Sequence, residues 1–163
     1  MKSLIVYFSF TGNTKKIADE LSGFLLKTGA VDIIELKNLN ETGNFFKQGS
    51  SAFKHERADI GDVNFDVTGY DLICIGTPVW AFTTTPAINS YLDNCKGCEG
   101  KRVLLFTTSG GAGDKRCISY MQEILATKGV KEFKSLSVSK NKANNKKFVL
   151  LKISQALPLW PNG

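Results

Sequence analysis

The sequence has a single histidine, four cysteines and four prolines, and no apolar run approaching the roughly 20 residues that cross a bilayer. With His55 as the only histidine, the C-x-x-C at Cys95 and Cys98 lacks the second ligand pair that a zinc site wants. A thioredoxin-type pair follows the first strand and opens a helix, whereas this one closes a helix. It reads as an ordinary reduced pair, and Cys74, inside an apolar run, as a small core residue. No G-x-x-x-x-G-K-[ST] occurs, and no G-x-G-x-x-G follows a strand, so neither a P-loop nor a dinucleotide fingerprint is present. No acidic pair follows the first strand, which excludes a magnesium-dependent receiver domain. No cysteine is followed six residues later by arginine, which excludes a low-molecular-weight phosphatase. The opening "MKSLIVYFS" carries one lysine and no small-residue cleavage site, so it does not read as a signal peptide, and a cytoplasmic location is expected. Solenoid-period repeats and low-complexity linkers are also missing.

What is present is ordinary for a globular chain: 163 residues, 42% hydrophobic and 22% charged. One domain spanning 1–163 is expected. The net charge of +6 is unevenly placed, because residues 129–163 hold seven lysines against Glu132 alone. That excess is either a solvated helix face or a docking patch for an acidic partner or nucleic acid. No aromatic-interleaved basic stretch supports nucleic acid.

Hydrophobic periodicity organises the chain into alternating elements. "SLIVYF" (3–8), "VDIIEL" (31–36), "DLICIG" (71–76) and "RVLLFTT" (102–108) are strand-length apolar runs suited to a parallel sheet covered on both faces. "FKSLSV" (133–138) reads as a weaker edge strand. Ile17, Leu21, Phe24 and Leu25 form one helical stripe; Ile88, Tyr91, Leu92 and Cys95 a second; Ile118, Met121 and Leu125 a third; Val149, Ile153 and Leu157 a last. Phe46, Gly49 and Phe53 suggest a shorter helix between 45 and 58. Thr85 before Pro86 and Asp114 before its helix are the expected caps, with Gly129 as a stop and Gly76 ending the third strand. The pattern is α/β: an open, five-stranded parallel sheet in three layers. Ligands of such sheets lie beyond the carboxyl ends of the strands.

Three loops at those ends are unusual. "SFTGNT" (9–14) packs Ser9, Thr11, Gly12, Asn13 and Thr14 into a strand-to-helix turn, more hydroxyl, amide and glycine than one cap requires. Successive N–H groups at a helix start make a nest for a phosphate, and Gly12 allows close approach. The absence of Lys or Arg inside the loop suits a monophosphate held by neutral donors. "GTPVWAFTTTP" (76–86) adds Trp80 and Phe82, aromatic surface against which a planar ring could lie. "TTSGGAG" (107–113) brings backbone polar groups to the edge of such a ring with little obstruction.

The three loops in this order, "SFTGNT", "GTPVW" and "TTSGG", resemble the flavodoxin family over nearly the whole chain. The resemblance implies strand order 2-1-3-4-5 and FMN as the cofactor; the order with FMN at its switch point is a standard description of flavodoxin itself. It also implies that Ser9, Thr11, Asn13 and Thr14, with the backbone from Phe10 through Gly12 to Thr14, hold the phosphate. Thr77, Pro78, Val79, Trp80 and Ala81 then line the ribityl chain and one side of the ring, and Thr108, Ser109, Gly110 and Gly111 face its pyrimidine end. Three departures stand out from the acidic electron carriers of the family. No aromatic occurs between Ser109 and Asp114, Ala81 stands where glycine is frequent, and the isoelectric point is about 9.1. The "PVW" form is similar to flavodoxin-like quinone reductases. The expected function is electron transfer through non-covalent FMN to a redox partner protein or a small-molecule acceptor. An NAD(P)H-dependent FMN quinone or flavin reductase is the alternative, and a flavin-free binding module a third reading that the intact first loop opposes. No catalytic side chain, metal, nucleic acid or membrane insertion is expected, and a monomer or homodimer fits equally. His55 is expected to be solvated rather than catalytic.

Overall fold

The computed structural model describes residues 1–39 and 55–157. The elements run β1 (Lys2–Phe8), α1 (Asn13–Leu25), β2 (Ala30–Leu36), β3 (Leu72–Pro78), α2 (Pro86–Asn94), β4 (Arg102–Ser109), α3 (Asp114–Thr127), β5 (Glu132–Ser139) and α4 (Lys146–Ala156). All strand pairs are parallel and the order is β2-β1-β3-β4-β5, as the resemblance implies. Residues 45–54 of the expected short helix lie outside the described residues, and 55–58 are not helical.

Burial follows position in the sheet. The three central strands are buried almost end to end, whereas β2 and β5, at the edges of the sheet, are largely half-buried or exposed. Strand alternation then divides the core in two. Leu4, Val6, Ile73, Ile75, Val103 and Leu105 meet α2 and α3 through Ile88, Tyr91, Cys117 and Met121. Ile5, Tyr7, Cys74, Leu104 and Phe106 meet α1 and α4 through Ile17, Leu21, Val149 and Ile153.

Gly76 does not end β3, which continues through Thr77 to Pro78. It is instead the place where the sheet admits a large ring. Gly76 pairs with Phe106 across β3 and β4, and a Cβ at Gly76 would lie 2.0 Å from Phe106 Cζ. Because every helix begins where a strand ends, the starts of α1, α2, α3 and α4 all gather at one rim, the carboxyl edge of the sheet. No described helix is long and apolar enough to cross a membrane.

Candidate functional site

The first loop reaches the rim from β1, whose last residue, Phe8, is buried. Gly12 takes the N-cap position of α1 at φ 83°, where a side chain would be strained although the space beside it is open. Gly12 itself offers no side-chain cap. Ser9 Oγ accepts from the Lys15 N–H at 3.2 Å, and Asn13 Nδ2 donates to Thr11 Oγ1 at 3.2 Å. The N–H groups of Gly12, Asn13 and Thr14 have no acceptor among the described residues. A helix start with N–H groups left unpaired carries the positive end of the helix dipole and suits an anion. Thr14 differs from its neighbours: it is buried, and its Oγ1 lies 2.8 Å from Thr108 Oγ1, joining the first loop to β4.

The second loop leaves β3 at Pro78. Val79 N–H donates to the Thr108 carbonyl at 2.8 Å, and Trp80 and Thr83 exchange two backbone hydrogen bonds of 3.0 Å. The two residues between them, Ala81 at φ 46° and Phe82 at φ 64°, both occupy the left-handed region. Positive φ at both central residues is the signature of a type I′ turn, which ordinarily selects Asn or Gly. Each non-glycine residue held there costs on the order of 1–2 kcal/mol. Thr77 Oγ1 accepts the Thr85 N–H at 3.3 Å. Thr85 occupies the N-cap position before Pro86, but its hydroxyl does not cap; it lies 3.4 Å from Thr77 Oγ1.

Trp80 is only 7% exposed. Its ring is held edge-on by Phe8 at 5.8 Å and Phe10 at 5.7 Å between centroids. Among the described residues, the aromatic surface open to solvent at this rim belongs to Phe82, 55% exposed, and Phe10, 39% exposed. Phe82 also closes the gap to the third loop, since a Cβ at Gly113 would lie 2.9 Å from its Cδ1.

In the third loop Asp114 is not the cap of α3; Gly113 is, at φ 89°. The Asp114 carboxylate turns back and accepts from Thr107 Oγ1 at 2.8 Å and Ser109 Oγ at 2.7 Å. Ser109 Oγ in turn accepts the Gly111 N–H at 3.1 Å. Gly110 and Gly111 are exposed, with open space where a Cβ would stand, so a flat ligand edge could approach their backbone.

The sequence-predicted residues therefore gather at one rim but divide by role. Thr14, Thr77, Thr108 and Ser109 spend their hydroxyls on bonds that hold the loops together. Ser9, Thr11, Asn13, Gly110 and Gly111 remain half-buried or exposed. Behind the second loop lies a group that periodicity did not reveal. His55 stacks on Tyr120 at 4.3 Å between ring centroids, and its Nδ1 lies 3.3 Å from Thr83 Oγ1. Arg57 bonds Asp93 and the His55 carbonyl. His55 is thus a packed buttress of the Trp80–Thr83 turn rather than a solvated side chain. Only its neighbours in space, from the second loop and α3, could have shown this.

Away from the rim, Cys95 and Cys98 are buried with their sulfurs 3.8 Å apart. Burial holds the Cys74 thiol well above its ordinary range and pushes that of Cys117 up to about 12. Among the described residues no cluster of three or more His, Cys, Asp or Glu could hold a metal.

A family model described as flavodoxin matches residues 2–151. The sequence finds no significant match among curated proteins. Among solved structures, the chain is similar to a flavoprotein from Lactobacillus acidophilus in complex with FMN (24% identity, 90% of this chain and 98% of that one, TM-score 0.63). An NADH:FMN oxidoreductase in its apo form matches at 14% identity over 99% of this chain and 92% of that one, TM-score 0.62. The two-electron reduced flavodoxin of Megasphaera elsdenii matches at 18% identity over 93% and 98%, TM-score 0.57. At such identities these likenesses speak for the fold, and the family match agrees with the strand order and the three rim loops: the chain belongs to the flavodoxin family.

Proposed function

We propose that the chain, as one domain, binds FMN non-covalently across the carboxyl ends of β1, β3 and β4 and transfers electrons through it. The observation that carries this reading is the run of unpaired N–H groups at the start of α1. Three consecutive N–H groups, at Gly12, Asn13 and Thr14, lack acceptors among the described residues, beside a glycine with open space above it. Ser9, Thr11 and Asn13, with the backbone from Phe10 to Thr14, would hold the phosphate. Thr77 to Ala81 would flank the ribityl chain and ring, and Thr108 to Gly111 would meet the polar ring edge. The bound flavin supplies the redox chemistry; the chain binds it, orients it and sets its exposure. With its four cysteines free and buried, the cytoplasm is the compartment this reading favours.

A second reading, hydride transfer from NAD(P)H to a quinone or flavin, has one specific observation behind it. The third loop offers glycines rather than an aromatic at Ser109–Gly113, which would leave one ring face open to a second planar molecule. Titration of apoprotein with FMN, followed by flavin fluorescence quenching, tests the common core of both. Saturable binding that weakens in Thr11→Ala and changes in Trp80→Ala is expected; a protein that refuses FMN overturns both. Anaerobic mixing with NADPH then separates them. Persistence of the oxidised flavin band supports the carrier, and rapid bleaching without a second protein supports the reductase.

A further inference from the structure

We propose that the carboxyl-terminal rim of the sheet is a docking surface for an acidic redox-partner protein. The inference deepens the FMN reading, on which it rests, by assigning the sign of the partner's surface.

The charge excess becomes a surface only through the topology. Parallel connections bring the first turns of α1, α3 and α4 to the same edge, and those turns carry Lys15, Lys16, Lys115, Arg116, Lys146 and Lys147. The loop between β5 and α4 adds Lys140 and Lys142. It is drawn to this rim by the Lys140 N–H bond to the Ser109 carbonyl at 2.8 Å and by Lys16 Nζ on Asn144 Oδ1 at 2.6 Å.

Cations in a first helical turn oppose the helix dipole, typically by 0.3–1 kcal/mol each when exposed. Local helix physics therefore does not account for them. Neutralisation does so only in part. Lys15 pairs with Asp19 and Lys146 with Glu20, at 3.3 and 3.2 Å. Lys115, Arg116, Lys140, Lys142 and Lys147 are exposed and make no salt bridge among the described residues. The acidic group nearest them in the third loop, Asp114, is already taken by two hydroxyls. The opposite edge is mixed in sign, with Lys2, Asp32, Asp71, Arg102 and Glu132 at the strand starts.

At the same rim stand the exposed aromatic faces of Phe82 and Phe10. An apolar spot bordered by uncompensated charge is the composition of a transient protein interface. Here the border is positive, so the partner must be negative. A nucleic acid would need an extended track along which bases stack, and this rim offers a compact apolar spot instead.

The test mixes FMN-loaded protein anaerobically in a stopped-flow instrument. The oxidised protein meets a reduced, acidic plant-type [2Fe–2S] ferredoxin, whose low potential makes it the electron donor, and the photoreduced protein meets ferricyanide or hexaammineruthenium(III). The expected result is that rates with ferredoxin and ferricyanide fall about tenfold or more between 10 and 500 mM salt, while the rate with the ruthenium cation rises. Lys115→Glu/Lys142→Glu should cut the low-salt ferredoxin rate at least fivefold, an amount chosen to exceed the change from altered net charge alone. Lys27→Glu/Lys131→Glu, the same charge change at the opposite edge, should leave it within twofold. Salt-independent rates in a protein that retains FMN, or equal loss in both double variants, overturn the docking surface and leave the FMN reading standing. Rim-dependent capture by phosphatidylglycerol vesicles or a DNA duplex, without a salt effect on electron transfer, overturns it as well. Failure to take up FMN is a failure of the FMN reading itself, and is seen before any mixing.

Discussion

Replacing Ala81 with glycine should make the protein more stable, the reverse of what glycine does at most positions. Ala81 sits at φ 46° in the turn between Trp80 and Thr83, and its Cβ bears the left-handed penalty of roughly 1–2 kcal/mol. Glycine removes that penalty but gives the unfolded chain more freedom, at about 0.5–1 kcal/mol. Ala81 is exposed, so little packing is lost with its methyl group. The net expectation is a gain of about 0.5–1 kcal/mol, or about 1–4 °C in the melting temperature of a chain this long. Ala126→Gly supplies the control. Ala126 is exposed near the end of α3 with no positive φ, so the same substitution there should cost about 1 kcal/mol. Urea unfolding of both variants and wild type, followed by tryptophan fluorescence, reads the two signs directly. A loss in Ala81→Gly matching that of Ala126→Gly would refute the reasoning, because it would mean that the turn is not strained at that residue.

Three further outcomes are expected. Gly76→Ala should lower stability by about 1–3 kcal/mol in a urea melt, since the new Cβ would be driven into the Phe106 ring; a neutral result would mean the ring has room to move. Thr14→Val and Thr108→Val should each cost about 1–3 kcal/mol by stranding a buried hydroxyl, while the double variant costs less than the sum, and strict additivity in the cycle would remove the proposed pairing. Asp71 accepts the Lys2 backbone N–H at 2.6 Å, and that bond holds its carboxyl below the usual carboxylate range. Its contribution is therefore fully present above the unfolded value of about 4 and fades as pH falls through the lower folded value. Wild type should exceed Asp71→Asn in urea midpoint at pH 6 and converge with it in strong acid; a gap that grows on acidification would reverse the assigned sign.

Much of this molecule is legible in one dimension. A strand buried on both faces must be apolar throughout, and a helix laid on a sheet must repeat its apolar residues every three or four positions. "SLIVYF" and the stripe through Ile17 and Leu21 therefore announce their own geometry. Gly129, at φ 85° just beyond α3, likewise marks a stop through a backbone preference that belongs to the residue itself. The crowding of small polar residues in residues 9–14 is equally local, because a nest of N–H groups is built from consecutive residues.

Other features depend on partners far away in sequence. Asp114 looks like a cap until Thr107 and Ser109 offer it two hydroxyls, and Gly113 leaves the cap position without a side chain. Trp80 looks like an exposed platform until Phe8 and Phe10 close on its ring, leaving Phe82 to face solvent from a turn that propensity alone would assign to glycine or asparagine. His55 finds Tyr120 and Thr83 only after the second loop and α3 have come together. Local order is set by periodicity and backbone preference, which each segment carries with it. The use to which a hydroxyl, a carboxylate or a ring is put is set by whichever partner the tertiary fold brings within a few ångströms.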